Sequence, residues 1–317
     1  MSNSPPDWLN DYPSGVREAL EAALTGRLDP PIVLTGLFLL LGKAAEISSL
    51  LARAESDAHA AGDDDGARRI DAVRDRMSHD PAAFEKMRAV LAILHGQSAR
   101  QPSADPFSVA ASFDAAAELS PAASVALYSL GDATLLGGAT QELVSLLRAR
   151  GLISRKSRVF EIGCGIGRFA EALAAEIQSF QGIDVSQNMI RIARERCTDF
   201  ANVAFSLTSG EDLGQYADAS FDLVLAVDSF PYIVATRRGL AELHITESAR
   251  VLAPGGNLAI FNFAYEEEFD VSRERLGRVA CEAGLALVAA ESNPLRSWDG
   301  SFFQLRKQSR ITQFDLV

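Results

Sequence analysis

The sequence predicts an α/β fold: a mostly parallel seven-stranded sheet with helices on both faces and a C-terminal antiparallel strand, preceded by an α-helical N-terminal region. Three observations predict it. The first half is rich in Ala and Leu, with apolar residues at helical spacing. After residue 150, short apolar runs alternate with amphipathic segments, the pattern of a sheet covered on both faces. The last two runs follow one another without a helix between them, so the final strand is free to insert antiparallel.

In chain order, helices are expected at 14–24, 31–57, 66–77, 82–96, 108–118, 121–130 and 136–149. Pro30-Pro31, the "AAGDDDG" run at 60–66, Pro81 and "GQSARQPSADP" at 96–106 punctuate them. The consecutive aspartates of "GDDDG" read as a solvated loop, since a calcium loop alternates its ligands. Residues 96–106 read as a linker. Strands are expected at 157–162, 179–185, 202–207, 220–228, 257–263, 285–292 and 301–307. Helices are expected at 165–177, 187–198, 237–252 (stopped by "APGG") and 272–283 (stopped by Gly284). No internal repeat is visible. This gives an organisation of 1–105 as a helical region for capping or dimerisation, 106–150 as a helical lead-in or lid, and 151–317 as the sheet domain.

Bulk composition narrows the function. The chain has 317 residues, 48% of them hydrophobic, and a formal net charge of −12. An acidic chain without a Lys/Arg run repels phosphate backbones, so nucleic acid is not expected as a partner. Cys164, Cys197 and Cys281 are far apart and lack CxxC spacing, which argues against disulfides and zinc and for reduced thiols in a cytoplasmic protein. The opening "MSNSPPDWLNDYPSG" has no apolar h-region, so a secretory leader is not expected. The apolar core Ile32–Gly42 is too short for a membrane span, and a buried helix is expected instead. His59, His79 and His95 lack ligand spacing. No metal site is expected.

The chemistry sits in "VFEIGCGIGRFAEALA", residues 159–174. It reads as strand, glycine turn and helix, a form that cradles an adenosine-bearing cofactor. Two fingerprints overlap in it. Gly165-x-Gly167-x-x-Ala170 suits a nicotinamide dinucleotide, and Glu161-x-Gly163-x-Gly165-x-Gly167 suits a methyl donor. Asp184, 19 residues after Gly165 at the end of the second strand, offers a carboxylate for ribose hydroxyls and serves either cofactor. Glu161 tips the balance. A carboxylate beside a pyrophosphate repels it, whereas one beside a cationic amino-acid group does not.

Residues 120–306 resemble a class I S-adenosylmethionine-dependent methyltransferase of the Rossmann-like superfamily. The resemblance rests on "VFEIGCGIGRFAEALA", "GIDVSQNMIRIARERC", "FDLVLAVDSFPYI" and "ESARVLAPGGNLAIFNF". It implies S-adenosylmethionine as cofactor. Gly163, Gly165 and Gly167 would form the turn under the methionine part, and Glu161 would help hold the amino group. Asp184 would bind ribose, and Val185 and Met189 would flank adenine. The loop "SGEDL" at 209–213 would meet the adenine edge. Ser209 stands where many relatives carry Asp, so Glu211 or Asp212 is expected to substitute.

The methyl acceptor is expected beyond the fourth strand, whose end reads "AVDSFPYIV". Asp228 and Tyr232 are the candidate catalytic residues. Asn262 and Tyr265 after the fifth strand, and Tyr128 from the lead-in, are candidates for the acceptor pocket. His244 reads as a packed or surface residue in a helix. The leading expectation is methyl transfer to O, N or C of a small-molecule acceptor, by a protein with no membrane partner whose N-terminal helices cap the pocket or form a homodimer. An NAD(P)-dependent oxidoreductase and a non-catalytic S-adenosylmethionine-binding regulatory module remain as alternatives.

Overall fold

The computed structural model describes residues 5–96 and 106–308. The 96–106 linker expected from sequence lies almost wholly outside the described residues. The helices are α1 Ser14–Thr25, α2 Pro30–Leu41, α3 Ala44–Ala60, α4 Asp64–His79, α5 Ala83–Gly96, α6 Pro106–Leu119, α7 Pro121–Val125, α8 Ala133–Ala149, α9 Arg168–Leu173, α10 Gln187–Arg196, α11 Phe230–Thr236, α12 Leu240–Val251 and α13 Phe269–Glu282. The strands are β1 Arg158–Ile162, β2 Ser179–Asp184, β3 Val203–Leu207, β4 Phe221–Val227, β5 Leu252–Phe261, β6 Leu285–Ser292 and β7 Ser301–Lys307.

The chain divides into two compact units, one of residues 1–92, 122–139 and 295–299, the other of 93–121, 140–294 and 300–317. These divisions cut across sequence order. Helix α6 belongs with the sheet, whereas residues 122–139 join the N-terminal helices. The helical unit is built on Leu9, Leu20, Leu34, Leu37, Ile47, Leu51, Ile70 and Met87, all buried. Helix α4 starts inside the "GDDDG" run, where Asp63 accepts a 2.8 Å hydrogen bond from the Gly66 amide. That run is a capped helix start, with Asp64 and Asp65 placed favourably at the positive end of the dipole. No helix among the described residues is long and apolar enough to cross a membrane.

The second unit contains a seven-stranded sheet in the order β3-β2-β1-β4-β5-β7-β6. Strands β1 to β5 pair parallel, and β7 runs antiparallel to both β5 and β6. The central strands are buried on both faces, as their continuous apolar runs require. The chain builds outward from β1 to β3, then crosses back to β4. The resulting switch point opens a crevice past the carboxyl ends of β1 and β4. The glycine turn, Asp184, Asp228 and Asn262 all lie at that end of the sheet.

Several elements differ from the sequence expectation. The helix expected over 31–57 is two helices, because Gly42 takes φ 72° and ends α2. The helix expected over 165–177 is only Arg168–Leu173 plus one 3₁₀ turn, because Gly165 and Gly167 hold left-handed conformations before it. Helix 121–130 ends at Val125, and a 3₁₀ turn follows at Leu127–Ser129. Helix α11 was not expected at all. Pro231 falls in its first turn, where a missing N–H costs nothing. Strand β5 starts at Leu252, and "APGG" forms an irregular excursion between the pairs Phe221–Leu252 and Leu223–Asn257.

Candidate active site

The turn after β1 closes on β2. The amides of Gly163 and Cys164 both donate to the Ile183 carbonyl, at 2.8 and 2.9 Å. Gly163 has φ 72°, and a Cβ there would lie 2.5 Å from the Ser229 Cβ. The hydroxyl of Ser229 donates to the Ile162 carbonyl at 2.7 Å, which draws the ends of β1 and β4 together. Gly163 is therefore fixed both by its left-handed backbone and by this close approach. Gly167, at φ 74°, begins α9, and a Cβ on it would press on Ala193 and on the Phe205 ring.

Glu161 lies in β1 just before the turn and is buried. Its Oε2 is buried and has no hydrogen-bond partner. Burial pushes its carboxyl well above the ordinary range; the Arg168 guanidinium opposes this, and Asp184 adds to it. A buried acceptor without a donor costs stability unless a ligand supplies the donor. An ammonium or amine group is the chemistry this oxygen suits, and a phosphate is the chemistry it rejects.

Asp184 ends β2. Its Oδ2 accepts from the Gly165 amide at 2.8 Å and its Oδ1 from the Ser186 amide at 2.9 Å. Burial pushes its carboxyl up to about 6, against the lowering effect of these amides. Each carboxylate oxygen keeps a further lone pair, enough to accept from a ribose hydroxyl. Val185 next to it is half-buried, and Met189 is buried inside α10 with its amide capped by Ser186 Oγ at 3.1 Å.

Asp114 of α6 completes this corner and was missed by sequence reasoning. Its Oδ1 accepts from the Ser186 hydroxyl at 2.6 Å and from the Asn188 amide at 2.9 Å. Asn188 Nδ2 donates back to the Asp114 carbonyl at 3.2 Å and to Glu118 at 3.0 Å. Helix α6 is thereby fastened to the N-terminus of α10. The only sequence signal was a lone Asp on an Ala-rich helix, with nothing to indicate its partner.

The loop after β3 also lies at this corner. The Thr208 amide donates to the Asp184 carbonyl at 3.0 Å. Gly210, at φ 77°, is packed so closely that a Cβ would lie 2.9 Å from Val185 Cγ1 and 3.4 Å from the Pro106 ring. Glu211 and Asp212, the expected substitutes at the adenine edge, are exposed and otherwise engaged. Glu211 pairs with Arg237, and Asp212 accepts from the Gly214 amide at 2.8 Å.

At the ends of β4 and β5 two non-glycine residues take left-handed backbone, Asp228 at φ 55° and Asn262 at φ 62°. Asn262 Nδ2 donates to Asp228 Oδ1 at 2.7 Å, and Asn262 Oδ1 accepts from the Ser301 amide at 3.0 Å. Arg168 Nη2 stands 3.9 Å from Asp228 Oδ2, with both side chains largely buried. Adjacent strained residues held by such a network are a mark of functional sites. Tyr232 of α11 meets Phe113 of α6 edge-on at 4.9 Å and Tyr265 at 6.1 Å. Burial and then the Asp228 charge push the Tyr232 phenol above its usual range. Asn262 and Tyr265 thus lie with Asp228 and Tyr232. Tyr128 belongs to the helical unit. Arg168, the cation between Glu161 and Asp228, was not singled out from sequence.

The methyltransferase domain family matches residues 160–260. Among curated proteins, the chain is similar to the demethylmenaquinone methyltransferase of Tropheryma whipplei, 33% identical over 119 residues, or 37% of this chain and 46% of that protein. It is similar to methyltransferase GfsG of Streptomyces halstedii, 32% identical over 139 residues, covering 43% and 48%. O-methyltransferase rstn1 of Aspergillus nomiae is 36% identical over 126 residues, covering 38% and 53%. The chain spans about half the length of these curated relatives. Residues 160–260 carry the match to the methyltransferase domain family, and the glycine turn and strand order around them resemble those of the class I S-adenosylmethionine-dependent methyltransferase superfamily.

Proposed function

We propose that the chain is an enzyme that methylates O, N or C of a small-molecule acceptor with S-adenosylmethionine. The observation that carries this reading is the unpartnered, buried Oε2 of Glu161 beside the glycine turn. It accepts the amino group of a methionine moiety and disfavours the pyrophosphate of a dinucleotide. Asp184 takes the ribose hydroxyls, and Val185 and Gly210 lie where adenine is expected. The bound donor supplies an electrophilic methyl on a sulfonium.

The chain's own residues then align the acceptor and manage its proton. Alignment alone contributes on the order of 7–11 kcal/mol. For a hydroxyl acceptor, Asp228 receives the proton, while Asn262 and Arg168 fix its carboxylate. Tyr232 and Tyr265 flank the acceptor. Oxygen is favoured among the three acceptor atoms because rstn1 is named an O-methyltransferase and a further relative a 27-O-demethylrifamycin SV methyltransferase. Calorimetry with S-adenosylhomocysteine and with NAD on one sample tests the reading. Binding of the first alone is expected, and binding of NAD alone overturns it. Donor binding without methyl transfer across a broad acceptor panel favours the regulatory alternative.

A further inference from the structure

His244 lies on α12, behind the loop that carries Gly210. It is buried, with 2% of its surface exposed. Its Nε2 is 2.9 Å from the Gly210 carbonyl oxygen, so the ring carries its proton on Nε2 and donates to that oxygen. Nδ1 is buried without a partner, and burial keeps the imidazole from charging. Gly210 is the loop residue against Val185 and Pro106. Its own amide donates to Thr208 Oγ1 at 3.2 Å, and the Thr208 amide is held by the Asp184 carbonyl. The loop is fastened on one side to β2, through the Thr208 amide, and on the other to α12, through His244.

We propose that His244 is a positioning residue for the adenine end of the donor site. Its Nε2–H sets the height of loop 208–210 over Val185, and so the width of the slot that adenine enters. Ser209 is exposed and Gly210 has no side chain, so the loop's anchorage on the α12 side comes from outside it. The proposal rests on the donor reading given above.

The test uses the full chain, the variants His244→Leu, His244→Gln and Asp184→Ala, and two ligands, S-adenosylhomocysteine and S-inosylhomocysteine, which differ at the adenine edge. His244→Leu leaves the Gly210 carbonyl buried without a donor and weakens S-adenosylhomocysteine binding about tenfold. His244→Gln restores an N–H at the same reach and recovers most of the affinity. The preference for the adenosyl over the inosyl ligand shrinks in the leucine variant and returns in the glutamine variant. Unchanged affinity in His244→Leu overturns the proposal. So does an equal loss for both ligands, or an intact chain that does not discriminate between them, because a purely structural histidine would give those results. The donor reading fails separately, if the intact chain does not bind S-adenosylhomocysteine or if Asp184→Ala leaves that binding unchanged.

Discussion

The amide of Gly165 donates to Oδ2 of Asp184 at 2.8 Å, so the acid that ends β2 also holds the turn that follows β1. Two motif residues 19 positions apart are one hydrogen-bonded unit. A ligand that engages Asp184 therefore reads the conformation of the glycine turn, and a change in the turn is felt at Asp184.

Replacing Asp184 with Asn keeps the shape but sets an NH₂ group against a backbone amide, Gly165 or Ser186. S-adenosylhomocysteine affinity is expected to fall about tenfold or more, by calorimetry. The wild-type carboxyl is pushed up to about 6, so acidification through that value protonates it and weakens binding. The sign for stability is opposite. A folded-state value above the unfolded one means the folded chain takes up the proton more readily, so this group's effect on stability improves as pH falls from about 6 toward its unfolded value near 3.8. Thermal melts with and without ligand separate the two trends, and Asp184→Asn abolishes both.

Glu161 is buried with its carboxyl pushed well above the ordinary range. An arriving ammonium group favours the ionised form, so donor binding releases a proton from this site. Calorimetry in buffers of different ionisation enthalpy measures that release. Glu161→Gln is expected to remove it and to weaken binding, while the ligand-free variant melts no lower than wild type, since it no longer buries an ionisable group. Proton release that persists in the variant assigns the proton elsewhere.

Gly163→Ala meets two penalties at once. The backbone at φ 72° costs an L-residue about 1–2 kcal/mol, and the Cβ lands 2.5 Å from that of Ser229. Overpacking adds about 1–3 kcal/mol, so urea denaturation should show a loss of about 2–5 kcal/mol in total. Adding Ser229→Gly should recover the packing part, less the hydrogen bond that Ser229 gives to the Ile162 carbonyl, and leave the backbone part.

Asp228→Asn retains the acceptor oxygen for Asn262 but removes the proton-accepting charge. With a hydroxyl acceptor, kcat is expected to fall by about 10²–10⁴ while S-adenosylhomocysteine affinity holds. A loss of donor affinity with unchanged kcat would place Asp228 on the donor side instead.

The arrangement of the proposed donor half was the more legible in sequence. Gly163, Gly165, Gly167, Glu161 and Asp184 fall within two strand-turn-helix units, where local spacing fixes which residues meet. The alternation of strands and helices likewise gave the sheet. The acceptor half depends on residues that only tertiary structure unites. Asn262 meets Asp228 across β4 and β5, Arg168 reaches between two acids, and Asp114 comes from a helix before the sheet begins. The backbone conformations of Asp228 and Asn262 left no mark either, since neither is a glycine. Helix α11 was not expected because Pro231 serves equally well as a turn residue and as a helix start. His244 was legible only as a histidine on a helix, because its partner is a main-chain oxygen.

Strand β7 lies between β5 and β6, though it follows both in the chain. The sheet therefore cannot be finished by adding strands outward. When β6 has been made it has no neighbour, and only the arrival of residues 301–307 joins it to β5 and brings the Ser301 amide to Asn262. During synthesis on the ribosome, the grip that Asn262 keeps on Asp228 is consolidated last of all. A nascent chain can thus close the corner around Asp184 early while the corner around Asp228 stays unassembled, and slow refolding should appear at Asn262.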